Sequence, residues 1–187
     1  MNKMLLLHKI AEDEIFAENL SESVFKRVNE KTKKADKAQS LSAYSCLNKL
    51  LSLMKIDDEV ILQENGKPTL KQGGAFISVS HSKNFVLCGI SKHPIGVDLE
   101  KMRPINLKVA KRFCSENELK NCKNERDFFK IWTLKEAYFK LYGSVLDIKK
   151  VEFTFIADEV HCSDKKIKAK SFLKNDLAIA VCEKIIP

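Results

Sequence analysis

The chain has 187 residues, of which 44% are hydrophobic and 31% are charged, which suits one domain or two small lobes that share a core. This composition excludes wholesale disorder, and the 6 glycines and 4 prolines exclude a collagen-like or linker-like chain. No apolar run reaches the roughly 20 residues that a transmembrane helix needs. The N-terminal stretch is apolar only briefly and has no cleavage-site pattern, so we expect a cytoplasmic protein.

The charge balance is basic, with 33 lysines and arginines against 25 aspartates and glutamates, a net charge of +8. Such a chain favours anionic partners: nucleic acid, phosphate-bearing ligands, anionic membranes or acidic proteins. A merely soluble basic surface explains the charge equally well. Nucleic-acid binding would need arginine-rich or aromatic-interleaved basic surfaces, whereas the chain has only the arginines Arg27, Arg103, Arg112 and Arg126.

The six cysteines form no C-x-x-C pair and no cysteine–histidine spacing of the zinc type. We therefore expect reduced thiols. Cys88 and Cys182 lie in apolar runs and are predicted to be small core residues. Cysteine usage thus indicates neither a disulfide framework nor a zinc site.

The first half of the chain is predicted to contain strands and one long helix. Residues 4–7 form the first strand, and the charge-rich residues 11–34 end in a lysine run, 31–34, that is typical of a solvated helix face. Between 38 and 54, apolar residues follow three- and four-residue spacing, which predicts a helix. Further along come a turn and a hairpin: the turn at 65–68, strands at 76–80 and 85–90, and their connection at 80–84.

The second half is predicted to begin with a strand at 96–100 and to continue with helices. Ser115 could cap a helix, with Glu118 three positions later in a capping-box arrangement. The strongest helix pattern covers 126–142 and ends at Gly143. The remaining elements are a basic helix at 106–113 and three short strands within 150–184. A faint echo between 40–44 and 133–138 suggests two related lobes.

Asp98 and Glu100 alternate with Val97 and Leu99 in the predicted strand 96–100. Residues i and i+2 of a strand point the same way, so the two carboxylates can converge on one hard cation. Mg²⁺ typically takes one or two protein carboxylates, together with waters and substrate phosphate. The alternative is a solvated strand face, which a bare D-x-E pattern favours.

Glu136 lies on the strongest predicted helix, between Lys135 and Lys140. It could be a further metal ligand with the lysines as phosphate clamps, or Glu136 and Lys140 could form a plain i, i+4 surface pair. Ser80 and His81, at the end of a predicted strand, could hold a phosphate. They are not expected to form a hydrolase dyad, because adjacent residues seldom aim at each other.

The order of these motifs is more specific than any one of them. G-K-P, S-H-S, G-V-D-L-E, F-x-S-x-x-E and W-x-x-K-E-A-x-x-K follow one another from Gly66 to Gly143. This order resembles the Sfp-type 4′-phosphopantetheinyl transferase family. The resemblance implies an enzyme that moves the phosphopantetheine arm of coenzyme A onto a serine of an apo carrier protein. It implies Mg²⁺, with Mn²⁺ as a possible substitute, and the release of 3′,5′-ADP.

The resemblance also implies roles for single residues. Asp98, Glu100 and Glu136 match the magnesium ligands, and Glu118 matches a carboxylate proposed as general base. Lys135 and Lys140 match lysines that contact the coenzyme A pyrophosphate or lie beside it. Ser80 and His81 match the segment that meets the 3′-phosphate, and Lys67 and Pro68 match the adenine-side loop. Catalysis would then involve Glu118, Glu136 and Lys135. Trp132 would pack the site, or would be plain helix core. The partner would be an acidic acyl or peptidyl carrier protein.

One position departs from the family pattern. Gln39 stands where members often carry an arginine for the 3′-phosphate, and Lys37 or the lysine run at 31–34 could substitute. We expect an α+β fold of two similar lobes, 1–94 and 95–187, related by a pseudo-twofold. Each would be a small antiparallel sheet on a long helix, with the active site in the cleft between them. The chain is expected to be a monomer; an inactive homologue and a basic nucleic-acid-binding module are the alternatives.

Overall fold

The computed structural model describes residues 3–10, 20–143, 147–156 and 159–186. The chain divides into two compact units, Met1–Pro94 and Ile95–Pro187. Both units combine helices with small antiparallel sheets, so the expected α+β class is confirmed at this level. None of the helices in the described ranges is long and apolar enough to cross a membrane.

The described part of the first unit contains a three-stranded sheet, a two-stranded hairpin and two helices. The elements are β1 (Met4–Lys9), α1 (Glu22–Asn29), α2 (Lys34–Leu53), β2 (Val60–Leu62), β3 (Pro68–Leu70), β4 (Phe76–Ser82) and β5 (Phe85–Ser91). The sheet has the order β1-β5-β4, and β2 pairs with β3. The apolar stripe of α2, including the fully buried Leu47 and Leu50, packs with Val86, Cys88 and Ile90 of the central strand β5.

The second unit repeats this plan with added short helical segments. Its elements are β6 (Ile95–Lys101), a 3₁₀ helix (Leu107–Arg112), α3 (Glu116–Asn121), α4 (Glu125–Tyr142), β7 (Phe153–Ile156), β8 (Glu159–Cys162), β9 (Ile167–Lys174) and β10 (Leu177–Lys184). The sheet has the order β6-β10-β9, and β7 pairs with β8. In each unit a first strand, a long helix and a hairpin precede two strands, and the last strand lies in the middle of the sheet.

Helix α4 is fixed at both ends and along one side. The Asn124 side chain accepts a hydrogen bond from the backbone N–H of Asp127, and Gly143 ends the helix in the left-handed region at a φ of 68°. Leu134 and Ala137 are fully buried against Ala180 of β10. These contacts fix the position of the helix that carries Glu136 and Lys140.

Several expectations about local structure need correction. The lysine run at 31–34 is not a helix face, because Lys31 and Lys33 precede α2 and only Lys34 belongs to it. The basic helix at 106–113 is a short 3₁₀ helix. The described residues from 147 to the C-terminal end hold four strands rather than three, since Glu159–Cys162 pairs with β7. Of the charge-rich segment 11–34, residues 11–19 lie outside the described residues.

The expected core cysteines are confirmed. Cys88 and Cys182 are fully buried, and all six cysteines are free thiols. The Cys88 Sγ donates to the Ala43 carbonyl of α2 at 3.6 Å, and the Cys182 Sγ donates to the Leu134 carbonyl of α4 at 3.6 Å. In each unit, a thiol of the central strand thus contacts the backbone of the long helix.

Candidate functional site

The acidic residues of β6 alternate as the sequence predicts. Val97 and Leu99 are buried on one face, while Asp98 and Glu100 pair in register with Ala180 and Ala178 of β10. Asp98 differs from the expectation in one respect, because only 4% of its surface is exposed. A carboxylate buried to this degree needs compensating charge or hydrogen bonds.

Gly96 lets β6 approach α4 closely. A Cβ at this position would run into the carbonyl oxygen of Ala137 and lie 2.6 Å from the backbone nitrogen of Leu141. Any side chain there would push the helix away from the strand. Gly96 is not among the residues with a role predicted from the sequence, although a glycine inside an apolar strand is a known signal of close backbone approach.

Two cations lie against the acidic residues of β6. The Lys140 Nζ donates to the Asp98 Oδ1 at 2.7 Å, so Lys140 compensates the buried charge from helix α4. An Arg103 guanidinium nitrogen lies 3.6 Å from the Glu100 Oε2, and the same guanidinium stands 5.5 Å above the Phe129 ring. The contact of Arg103 with Glu100 was not predicted from the sequence. The signal that could have indicated it is the spacing of three residues between the two.

Glu136 faces the same acidic neighbourhood. Burial raises the pKa of its carboxyl, the nearby Asp98 and Glu100 carboxylates raise it further, and the Lys140 ammonium opposes the rise. Glu136 and Lys140 are one helical turn apart and therefore share the helix face. The structure thus brings Asp98, Glu100, Glu136 and Lys140 into one electrostatic cluster, which we call the acidic cluster.

The chemistry of the acidic cluster suits a hard divalent cation, because its donors are carboxylate oxygens. In the described part of the chain, however, no group of three or more histidine, cysteine, aspartate or glutamate side chains is arranged as a finished metal site. A lysine ammonium and a guanidinium supply the positive charge instead. The donor set therefore fits Mg²⁺, provided that the side chains rearrange around it.

Glu118 and Lys135 form a buried ion pair, with 2.8 Å between the Lys135 Nζ and the Glu118 Oε2 and no exposed side-chain surface on either residue. The predicted capping box is confirmed, since Glu118 accepts from the Ser115 backbone N–H while the Ser115 hydroxyl accepts from the Glu118 N–H. The structure therefore places the two residues together, in a position that solvent does not reach.

The predicted coenzyme A contacts of the first unit lie on β4 and at the β2–β3 turn. Ser80 is buried and His81 exposed within β4, which extends to Ser82 and so leaves Lys83 and Asn84 as the connection to β5. Lys67 and Pro68 close the β2–β3 hairpin, and burial lowers the pKa of the Lys67 ammonium.

Gln39 reaches the connection that follows Ser80 and His81. Its Nε2 donates to the Lys83 carbonyl at 2.7 Å, so the residue that departs from the family pattern lies beside the predicted phosphate segment. Lys37, a proposed substitute, donates to the Asn29 side chain at 2.8 Å.

Trp132 is half-buried among aromatic side chains. Its ring lies 4.4 Å from the Phe113 ring and 6.2 Å from the Phe128 ring, measured between centroids. These contacts belong to the second core cluster of this unit, which α4 shares with the 3₁₀ helix. These contacts show the packing role of Trp132, which was predicted as an alternative to a role in the site.

Part of the chain is similar in sequence to known proteins. Residues 94–182 match the model of the 4′-phosphopantetheinyl transferase superfamily. The 4′-phosphopantetheinyl transferase gsp of Aneurinibacillus migulanus is 38% identical over an alignment of 103 residues that covers 50% of this chain and 43% of the relative. The 4′-phosphopantetheinyl transferase Sfp of Bacillus subtilis (strain 168) is 36% identical over an alignment of 111 residues that covers 56% of this chain and 50% of the relative.

Among solved structures, the holo-[acyl-carrier-protein] synthase of Thermotoga maritima is 20% identical, with a TM-score of 0.43. The likeness covers 49% of this chain and 63% of that protein, and it is too weak to say more about the fold.

The resemblance to the 4′-phosphopantetheinyl transferases is thus confirmed for the second half of the chain. The matched range, 94–182, holds the acidic cluster and the Glu118–Lys135 pair, whereas Lys67, Pro68, Ser80 and His81 precede it. The chain spans about half the length of the curated relatives that it matches.

Proposed function

We propose that the chain is a 4′-phosphopantetheinyl transferase. It would move the phosphopantetheine arm of coenzyme A onto a serine hydroxyl of an apo carrier protein and release 3′,5′-ADP. The observation that carries this proposal is the acidic cluster, in which Lys140 contacts the Asp98 carboxylate beside Glu100 and Glu136, inside the range that matches the superfamily.

Asp98, Glu100 and Glu136 would hold the Mg²⁺ ion, or Mn²⁺ in its place. A bound divalent cation would offset the charge of the pyrophosphate and polarise its reacting phosphoryl group. The surroundings of Glu136 support this assignment: its pKa is raised first by burial and further by the nearby Asp98 and Glu100 carboxylates, so the three acidic groups share one neighbourhood. A divalent cation would stabilise the three carboxylates, because the single positive charge of Lys140 does not neutralise them.

Lys140 would contact the coenzyme A pyrophosphate. Its ammonium lies at the acidic cluster and remains about one-third exposed, so a phosphate oxygen can approach it. A lysine provides a mobile point charge rather than a fixed fork, which suits a group that changes partner between Asp98 and a phosphate. Arg103 would keep its place beside Glu100 and hold that carboxylate in orientation.

The adenosine end of coenzyme A would bind to the first unit. We assign the 3′-phosphate to Ser80 and His81 and the adenine side to Lys67 and Pro68, on the strength of the motif order. Gln39 supports the placement of the phosphate segment, because it contacts the turn that follows it. An amide carries no charge, so we expect weaker selection for the 3′-phosphate than an arginine would give.

The two units would be the two lobes of a pseudo-dimeric monomer, with the boundary at 94. The cleft between the lobes stays a prediction. The shared element order of the units supports the assignment of two related lobes.

The roles predicted for Glu118 as general base and Lys135 as pyrophosphate contact need the buried pair to open. Each side chain is fully buried and contacts the other at 2.8 Å. Both roles stay predictions.

The partner would be an acidic acyl or peptidyl carrier protein in the cytoplasm. The net charge of +8 supports this choice, because complementary charge speeds the encounter of two proteins. Coenzyme A is itself polyanionic, so the same net positive charge attracts it.

Product analysis tests the proposal directly. The protein is incubated with coenzyme A, Mg²⁺ and an apo carrier protein, and nucleotides are separated by chromatography. We expect 3′,5′-ADP to form in proportion to the carrier, and not with a carrier whose acceptor serine is alanine. If intact carriers of acyl and peptidyl type yield no 3′,5′-ADP although coenzyme A binds, the inactive-homologue alternative replaces the proposal.

A further inference from the structure

The Glu118–Lys135 pair uses all the hydrogen-bonding capacity of its ammonium group. The Lys135 Nζ lies 2.8 Å from the Glu118 Oε2 and donates to the carbonyls of Ile148 and Val151 at 2.8 and 2.7 Å. Three acceptors match the three hydrogens of a lysine ammonium. None is left in this arrangement for a phosphate oxygen.

Glu118 is engaged to the same degree. Its Oε2 accepts from the Ser115 N–H at 2.8 Å, and its Oε1 accepts from the Phe153 N–H at 2.9 Å. If the pair opened toward a substrate, buried backbone groups and one buried charge would lose their partners. Such losses are expensive, because desolvated polar groups and unpaired charges are not compensated by water.

The pair connects three separate segments of the second unit. Glu118 belongs to the capping box that begins α3, Lys135 belongs to α4, and their backbone partners at 148–153 lead into β7. Lys135 directly precedes Glu136, and consecutive helical residues point about 100° apart. An anchor at Lys135 therefore fixes the direction in which Glu136 leaves the helix.

We propose that Glu118 and Lys135 are a buried positioning pair that fixes the rotation of α4, so that Glu136 and Lys140 face Asp98 without either member of the pair touching substrate. The inference rests on the proposed function, since it assigns this pair a role in assembling the acidic cluster. It replaces the predicted roles of base and phosphate contact with a single indirect one.

The test exchanges the ion pair for an uncharged pair of amides. Glu118→Gln and Lys135→Gln are made singly and together, and Lys130→Gln controls for the loss of another lysine from α4. In the double variant, the two amides can bond each other and their backbone neighbours. Neither amide can take up a serine proton or carry charge to a phosphate.

The single variants each leave a buried charge without its partner. We expect them to lower the urea midpoint of unfolding and to weaken Mg²⁺ binding, titrated without coenzyme A, by about tenfold or more. The double variant is expected to recover both properties. Its kcat should stay within about tenfold of the wild-type value, with the acidic limb of the pH profile unchanged.

Two results would overturn the inference. The first is a double variant that binds Mg²⁺ and coenzyme A normally but has lost transfer by about a thousandfold, which would place the pair in the chemistry. The second is unchanged Mg²⁺ affinity in folded single variants. The Mg²⁺ titrations need no carrier protein, so a wild-type chain that transfers nothing counts against the proposed function alone.

A measurement on the wild-type protein decides the matter if the variants do not fold. In ¹⁵N spectra of the lysine side chains, the Lys135 ammonium signal should stay in place when coenzyme A and Mg²⁺ are added, whereas the Lys140 signal should move. A shift of the Lys135 signal as large as that of Lys140 would contradict a buried pair that stays closed.

Discussion

Asp98 carries a carboxylate in the middle of a buried strand, and its charge is tolerated there because Lys140 reaches it from α4 at 2.7 Å. Burial raises the pKa of Glu136, the Asp98 and Glu100 carboxylates raise it further, and the same lysine opposes the rise. At the scale of single residues, the site is therefore a balance between clustered carboxylates and one movable cation. Two substitutions test the two sides of this balance.

Glu136→Gln should reduce transfer by about a hundred- to a thousandfold, the scale on which one charge-stabilising group matters in catalysis. The fold should persist. Because folding raises the pKa of Glu136, its ionised form costs the folded state free energy at neutral pH, and glutamine removes that cost. Transfer kinetics and urea unfolding measure the two effects, with the exposed Glu159→Gln as control. Near-normal turnover would remove Glu136 from the mechanism.

Lys140→Ala should move two affinities in opposite directions. Without coenzyme A, Mg²⁺ binding should tighten about fivefold or more, because the variant leaves the buried Asp98 carboxylate without its compensating cation. Coenzyme A binding in the presence of Mg²⁺ should weaken by about 1–3 kcal/mol, the range for a charged hydrogen bond. Isothermal titration measures both, with the exposed Lys111→Ala as control. Unchanged affinities would return Lys140 to the role of a plain surface pair.

At the scale of elements, the site depends on how closely β6 and α4 approach each other. Gly96 permits that approach, and the Ala137 and Leu141 backbone fills the space beside it. The strand supplies Asp98 and Glu100 and the helix supplies Glu136 and Lys140. A small displacement of the helix therefore separates the two halves of the acidic cluster.

Gly96→Ala should destabilise the protein by about 1–3 kcal/mol, the usual cost of overpacking a tight contact, and should weaken Mg²⁺ binding as α4 moves away. Gly74→Ala is the matched control, since a Cβ there meets nothing within 4 Å. Urea unfolding and Mg²⁺ titration follow both variants. Equal stability of the two would contradict the close approach of β6 and α4.

Elements with a strong local signal could be predicted from the sequence. The apolar spacing and the capping residues placed α4 and the Ser115–Glu118 capping box correctly. The strand β8 escaped prediction because Glu159–Cys162 is short and carries little apolar pattern, so its pairing with β7 determines its structure. The start of α2 also escaped prediction, since Lys34 and Asp36 extend the helix without an apolar stripe.

The motif order could likewise point to candidate site residues but not to their partners. From the sequence, Glu118 and Lys135 were predicted to be separate reactive groups. The two residues are 17 positions apart along the chain, and no sequence pattern indicates that their side chains lie 2.8 Å apart. Burial of both side chains depends on the segment 148–153, which has no recognisable motif. Tertiary contacts of this kind require the structure.

At the scale of the whole molecule, the two units share an element order while only the second matches the superfamily model. The acidic cluster belongs to the second unit, and the predicted contacts for the adenosine end belong to the first. The basic balance of +8 suits both coenzyme A and an acidic carrier. We therefore predict a transferase activity that needs both units, a divalent cation and a carrier with its acceptor serine.

The most direct measurement of that activity is the intact mass of an apo carrier protein after incubation with this protein, coenzyme A and Mg²⁺, with EDTA in a parallel sample. A gain of one phosphopantetheine arm, about 340 Da, that EDTA abolishes is the predicted result for a metal-dependent transferase. A gain that persists in EDTA would contradict the metal role of Asp98, Glu100 and Glu136. An unchanged mass for acyl and peptidyl carriers alike, with coenzyme A bound, would contradict the transferase itself.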